Sequence, residues 1–213
     1  MNNEFIKLII KKVKSRLSEI KFFIFRIAYK KKILKKIKNI DRIFTHLTSE
    51  EKYILYELAL KKNGVFVEIG SFLGASSLCI ARALKEKNKN EILYCVDTWE
   101  NDAMNLDKND TFDEFLNNTF DYKNYIIPIR GFSYNTANEF SCKIDFIFFD
   151  GDHSYAGIKK DWDLWSSKLS EKAIVVFHDW GWAEGVKKVI SEDAVKKVEY
   201  KGSLPNLWWG IKN

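Results

Sequence analysis

A chain of 213 residues with 46% hydrophobic side chains and only two prolines has the size and composition of one globular domain, which excludes long disordered linkers and fibrous repeats. The net charge of +6 sits in one segment: residues 1–45 carry 14 Lys and Arg against three acids (+11), and the remainder carries 21 against 26 (−5), which argues against a nucleic-acid groove on the main body. Cys79, Cys95 and Cys142 are odd in number and lack metal-type spacing, so they are read as thiols of a reducing, cytoplasmic compartment, while the early apolar runs LII and FFIF are too short for a signal peptide or a membrane span.

The first 45 residues read as a basic amphipathic helix. Leu17, Ile20, Ile24 and Ile27 fall on one stripe that Leu34, Ile37 and Phe44 extend, with lysines opposite and Phe22, Phe23 and Phe25 near the apolar face. Such a segment either lies on an anionic surface at the cytoplasmic membrane face or packs on its own protein or on a second copy. TSEE at 48–51 is a capping box, with Thr48 as cap and Glu51 reaching back, and it opens a helix to about Lys61 that KNG ends. Residues 1–47 are thus expected as a helical extension and 48–213 as the main domain.

From Gly64 the pattern alternates. VFVEIG, EILYCVD, YIIPIRG, KIDFIFFDG and KAIVVFHDW are strand-like, and ASSLCIARALKEK, residues 110–120, SYNTANEF, SYAGIKKDWDLWSSKL and EGVKKVISEDAV are helical. VEYKG and LWWGIKN form a terminal antiparallel pair. This order predicts an α/β, doubly wound sheet with helices on both faces. Trp162 and Trp165 have helical spacing and read as core; Trp208 and Trp209 alternate faces; Asp152 caps the helix that follows it, with Ser154 as the competing cap.

Ligands of such sheets bind beyond the carboxyl ends of the strands, and four ends here are polar: Glu68 with Gly70, Asp97, Asp150, and His178 with Asp179. VEIGSFLGASS supplies Gly70 and Gly74 for a tight strand-to-helix turn, but it is neither G-x-G-x-x-G nor a G-K-[ST] loop, so nothing demands a polyphosphate. Asp97 can accept both hydroxyls of a ribose. Trp99 packs either on an adenine ring or in the core. Trp180 and Trp182 follow the last acid and suit an acceptor pocket.

VEIGSFLGASS and YCVD resemble the first and second motifs of the class I S-adenosylmethionine-dependent methyltransferases, over about residues 50–213. The resemblance implies a seven-stranded, mostly parallel Rossmann-like sheet with a reversed last strand, which the terminal pair matches. It places Glu68 and Gly70 at the methionine end of S-adenosylmethionine, Ser71, Gly74 and Ser76 at the loop, Asp97 and Trp99 at the ribose and adenine, and Ser133 at the adenine edge. DGDHSY and FHDW are similar to the metal-binding strand ends of magnesium-dependent O-methyltransferases. Catechol-type members place a lysine base three residues after the aspartate, and sugar-modifying macrolide-type members a histidine; Asp150 followed by His153 favours the latter.

The resemblance therefore implies catalysis by His153 and Asp150, with Asp150, His178 and Asp179 around a divalent metal, Mg or Mn. The chemistry needs such groups, because an alcohol holds its proton tightly, a cation stabilises the alkoxide, and an imidazole takes the proton near neutral pH. His178 departs from the Asp-Asn and Glu-Asp pairs of those groups, and an imidazole suits Mn²⁺, Fe²⁺ or Zn²⁺ better than Mg²⁺. The expected activity is O-methylation of a sugar or glycosylated small molecule, without a nucleic-acid partner. Cephalosporin hydroxylase-like proteins resemble the same motifs, so fold alone does not establish methyl transfer. A third reading, a membrane- or partner-binding protein with a degenerate enzyme domain, is opposed by the intact set Glu68, Asp97, Asp150, His153 and Asp179.

Overall fold

Seven strands form one sheet in a computed structural model that describes residues 40–100 and 110–213. Most of the expected basic helix, and with it the membrane or self-packing role, lies outside the described residues. Its expected end does not continue as helix. After one 3₁₀ turn at Ile40–Arg42 the chain runs irregularly to Thr48, and Phe44 stands exposed there instead of extending a stripe. This strap is anchored by the buried Ile40 and Leu47 and belongs to the compact unit Asn39–Asn213.

Thr48 then starts α1 (Ser49–Leu60) with the expected capping box: the Glu51 N–H donates to Thr48 Oγ1 (3.3 Å), and the Thr48 N–H donates to Glu51 Oε2 (2.8 Å). The elements that follow are β1 (Phe66–Ile69), α2 (Ala75–Lys87), β2 (Leu93–Asp97), α3 (Phe112–Thr119), β3 (Ile126–Arg130), α4 (Ser133–Glu139) and β4 (Ile144–Phe149). After them come α5 (Tyr155–Ser166), β5 (Leu169–His178), α6 (Glu184–Glu192), β6 (Val198–Leu204) and β7 (Leu207–Lys212). Spatial order is β3-β2-β1-β4-β5-β7-β6, with β7 antiparallel to both β5 and β6 and the other pairs parallel. This is the doubly wound sheet with a reversed last strand. Strand β5 starts at Leu169, earlier than KAIVVFHDW indicates.

The central strands are buried on both faces, which is why they read as continuous apolar runs. Val67 and Ile69 of β1, Ile147 and Phe149 of β4, and Val175 and Phe177 of β5 share one face with Trp162 and Trp165 of α5 and Val186 and Val189 of α6. Phe149 and Phe177 stack at 4.9 Å, and Trp162 lies 5.7 Å from Phe177, so the core reading of Trp162 and Trp165 holds. Truncating such a tryptophan costs about 3–5 kcal/mol. Trp208 is buried and Trp209 half-buried, on alternate faces. Alternation turns Glu68 to the opposite face, where α2 covers it and packs on α1. Among the described residues no helix is long and apolar enough to cross a membrane.

Candidate active site

The carboxyl ends of β1 to β5 open into one cavity of about 1150 Å³, larger than the roughly 300–1,000 Å³ of a pocket for one drug-sized ligand. Gly70, Ser71, Ser76, Asp97, Ser133, Asp150, His153, His178 and Asp179 all line it, as do Phe44 and His46 of the strap. All three histidines of the chain face this space.

At one end the turn between β1 and α2 is pinned by Asp97. Its Oδ2 accepts the backbone N–H groups of Ser71 and Phe72, each at 2.8 Å, and its Oδ1 accepts that of Trp99, also at 2.8 Å. Phe72 (φ 44°) and Trp99 (φ 56°) are both in the left-handed region that non-glycine residues avoid, and both donate to this carboxylate. Gly70 (φ 84°) is required for a different reason: a Cβ there would lie 2.1 Å from the Asp150 carbonyl oxygen. Ser133 opens α4, and its hydroxyl donates to Asp161, a buried carboxyl of α5 whose pKa burial pushes up to about 6.

Three expected cofactor contacts lie outside the cavity lining. Glu68 is fully buried beneath the turn and outside the cavity. Its Oε2 accepts the hydroxyls of Ser71 (2.9 Å) and Ser77, and burial pushes its pKa up to about 7 against those bonds. Trp99 is also fully buried, 4.8 Å from each of Phe112 and Phe115, with Nε1 donating to the Phe72 carbonyl at 2.8 Å, so it is a core residue and not an adenine platform. Gly74 (φ 91°) serves packing, since a Cβ would lie 2.7 Å from Thr119 Cγ2 of α3.

At the other end Asp150, His153 and Asp179 each bring one ligand atom within 4.8 Å of the others. His153 enters through the loop after β4. Ser154 is the cap of α5, accepting the Gly157 N–H (3.1 Å), while Asp152 Oδ1 accepts the Ser154 N–H (2.8 Å), so both sequence candidates brace the turn. His153 Nε2 lies 2.6 Å from Asp179 Oδ2 without the alignment of a hydrogen bond, which leaves a buried ring nitrogen aimed between the carboxylates. Burial opposes charge on this ring, but Asp150 and Asp179 outweigh it and push its pKa up to about 9. Asp179 is itself strained (φ 58°), and although burial works against it, His153 and His178 hold its carboxyl well below the usual range. Two carboxylates and an imidazole with an unaligned nitrogen fit a divalent cation.

His178, expected as a third metal ligand, stands behind this cluster and outside its group of ligand atoms. Its Nδ1 lies 3.0 Å from Asp150 Oδ1 and 3.2 Å from Asp179 Oδ1, and its Nε2 lies 3.7 Å from Glu51 Oε2 of α1. Burial disfavours its charge, yet Asp150, Asp179 and Glu51 push its pKa up to about 12, so the ring is held between carboxylates on both of its nitrogen sides. Trp180 turns away as well: its Nε1 donates to the Leu204 carbonyl (3.1 Å) and its ring packs on the core, whereas Trp182 lines the cavity.

No motif marks Asn206, whose Nδ2 donates to Asp179 Oδ1 at 2.8 Å from the turn between β6 and β7. Glu51 was visible only as a capping residue. Asp161 is marked by a charge buried within a helix and Asn206 by its place in a turn beside the cluster, and both signals exist only after folding.

Residues 67–180 match a family described as a methyltransferase domain. The chain belongs to this methyltransferase family. A curated relative of this methyltransferase, the uncharacterised protein y4gI of Sinorhizobium fredii, is 26% identical over an alignment of 153 positions that covers 68% of the chain; the chain spans 17% of that relative's length. Among solved structures, the Podospora anserina methyltransferase PaMTH1 with bound SAH superposes with a TM-score of 0.63 at 12% identity, over 85% of this chain and 87% of that one. CalS11, a TDP-rhamnose 3'-O-methyltransferase, gives 0.57 at 13% identity over 85% and 93%. The O-methyltransferase NovP gives 0.61 at 12% over 77% and 78%. At these identities the likeness is one of fold, and it is the class I methyltransferase fold expected from the motifs.

Proposed function

We propose that this methyltransferase moves the methyl group of S-adenosylmethionine to a hydroxyl of a sugar or glycosylated small molecule. The observation that carries the reading is the meeting of two half-sites in one cavity: the Asp97-pinned turn at one end and the cluster of Asp150, His153 and Asp179 at the other. The first half suits an adenosine whose attached group is not a polyphosphate. Ser71 and Phe72 present a backbone turn, and the Asp97 carboxylate at the end of β2 is the acceptor for ribose hydroxyls. Ser133 and Asp161 bound the adenine side.

His153 then takes the hydroxyl proton at Nε2. The freed oxygen pair forms the O–CH₃ bond as the S–CH₃ bond breaks, and sulfur keeps that pair, so the sulfonium becomes the neutral thioether of S-adenosylhomocysteine. Asp150 and Asp179 would hold a divalent cation, which supplies charge against the developing alkoxide and loosens the carboxylates' grip on the imidazole proton. Asp179 is oriented for this by Asn206, Trp182 and His178, and Asp150 by His178.

The test uses the purified full chain. S-adenosylhomocysteine should bind in calorimetry, and methyl transfer to glycosides should fall by about 10²–10⁴-fold in His153→Ala with cofactor affinity retained. Failure to bind the cofactor ends this reading, and normal turnover in His153→Ala removes the base. Exhaustive chelation should abolish transfer and added Mn²⁺ or Mg²⁺ restore it; full activity without metal refutes the cation.

A further inference from the structure

Trp182 is 61% exposed, an unusual position for the largest apolar side chain, and it stands at the mouth of the cavity. It is not loose. Its Nε1 donates to Asp179 Oδ1 at 2.7 Å, and the Asp179 carbonyl accepts the backbone N–H groups of Trp182 (3.3 Å) and Ala183 (2.8 Å), closing the turn after β5. The indole also meets the His153 ring edge to face, with centroids 5.4 Å apart. An open aromatic face is therefore fixed in orientation beside the nitrogen that takes the proton. Core packing does not explain it, since its neighbour Trp180 fills that role and Trp182 remains open to solvent.

We infer that the exposed face of Trp182 is the platform on which a saturated, pyranose-like ring of the acceptor rests, bringing one hydroxyl of that ring to the edge of the Asp150, His153 and Asp179 cluster. The inference rests on the methyl-transfer reading of the cavity and adds the element that selects the acceptor. The face of an indole is electron-rich, and the C–H groups on one side of a pyranose are polarised to match it. The outer wall beside the platform is polar, with Asp152 and Ser154 both exposed in the cavity lining, so it offers acceptors for the remaining hydroxyls. Polar partners beside a single aromatic face favour a sugar, which carries several hydroxyls to satisfy, over a flat phenol, which carries few.

Two substitutions separate a platform from a mere brace for Asp179. Trp182→Phe keeps an aromatic face and loses the N–H; Trp182→Gln keeps an N–H donor and loses the face. Saturation-transfer NMR would use methyl α-rhamnoside and methyl β-glucoside at millimolar concentration on protein saturated with S-adenosylhomocysteine. Ring C–H signals should appear in the parent and in Trp182→Phe, and fall at least about fivefold in Trp182→Gln. Calorimetry on the same samples should give one cofactor affinity for all three proteins, which also shows that each is folded. Equal signals in Trp182→Gln, or no glycoside signal from the cofactor-loaded parent, overturn the platform while leaving the cofactor reading intact. A parent that does not bind S-adenosylhomocysteine overturns the reading beneath it.

Discussion

Removing the Asp97 carboxylate should damage the fold before it damages the chemistry. In Asp97→Ala the N–H groups of Ser71, Phe72 and Trp99 lose a charged acceptor that each meets at 2.8 Å. Bonds to charged groups contribute about 1.5–3 kcal/mol each, so roughly 5–9 kcal/mol is at stake. Phe72 and Trp99 are held at φ 44° and 56°, and release of that strain returns up to about 1–3 kcal/mol apiece. Taking the middle of each range, the net loss is about 3 kcal/mol, which for a chain of 213 residues is a fall in Tm of roughly 6–12 °C. Asp97→Asn should lose less, because one amide oxygen can still receive Ser71 and Phe72 while the NH₂ faces the Trp99 N–H. Phe72→Gly in the alanine background should recover about 1 kcal/mol, since glycine tolerates positive φ. Calorimetric melting together with S-adenosylhomocysteine titration reads both effects. A Tm for Asp97→Ala within about 2 °C of the parent would refute the claim that this carboxylate holds the turn.

Burial raises the Glu68 pKa to about 7, so in the folded protein it binds a proton that the unfolded chain releases near 4.5. Its stabilising contribution is complete below that unfolded value and fades as pH rises through about 7, by an amount on the order of 1–3 kcal/mol. Glu68→Gln should therefore gain stability relative to the parent between pH 5 and pH 8 in melts, though the raised His153 and His178 will keep some decline in both; a constant difference across that range would place the Glu68 titration elsewhere. Gly74→Ala combines φ 91° with a Cβ 2.7 Å from Thr119 Cγ2, and urea unfolding should show a loss above about 2 kcal/mol. A smaller loss would mean that α3 yields.

The alternation of strands and helices was legible because each element carries its own period, and the ends of α2 fall where ASSLCIARALKEK indicates. The strand ends were legible for a topological reason: whatever the details, the carboxyl ends of parallel strands gather on one edge, so Asp97, Asp150 and Asp179 had to meet. Side-chain direction within that edge was not legible. In a strand buried on both faces nothing in the pattern says which face holds the ligand, and Glu68 points under the turn between Val67 and Ile69 rather than into the cavity. Trp99 went to the core because Phe112 and Phe115, too far along the chain to share a local period with it, close around it only after α3 docks.

His178 gives the furthest example of a role set by distant residues. At the position where similar enzymes carry an acid, an imidazole alone says metal ligand. Its meaning changes because Glu51, at the start of α1, and Asn206, in the turn before β7, occupy its far side, with Glu51 Oε2 at 3.7 Å and Asn206 Nδ2 at 3.3 Å from Nε2. An imidazolium so placed draws Asp150 and Asp179 toward one point from behind through their Oδ1 atoms, while Asp179 Oδ2 faces His153. The same Glu51 closes the capping box of α1, directly after the strap that carries Phe44 and His46 to the cavity wall. The wall of the cavity and the spacing of its two carboxylates thus depend on one buried acid, and a substitution at Glu51 reaches both ends of the site through contacts that no local pattern encodes.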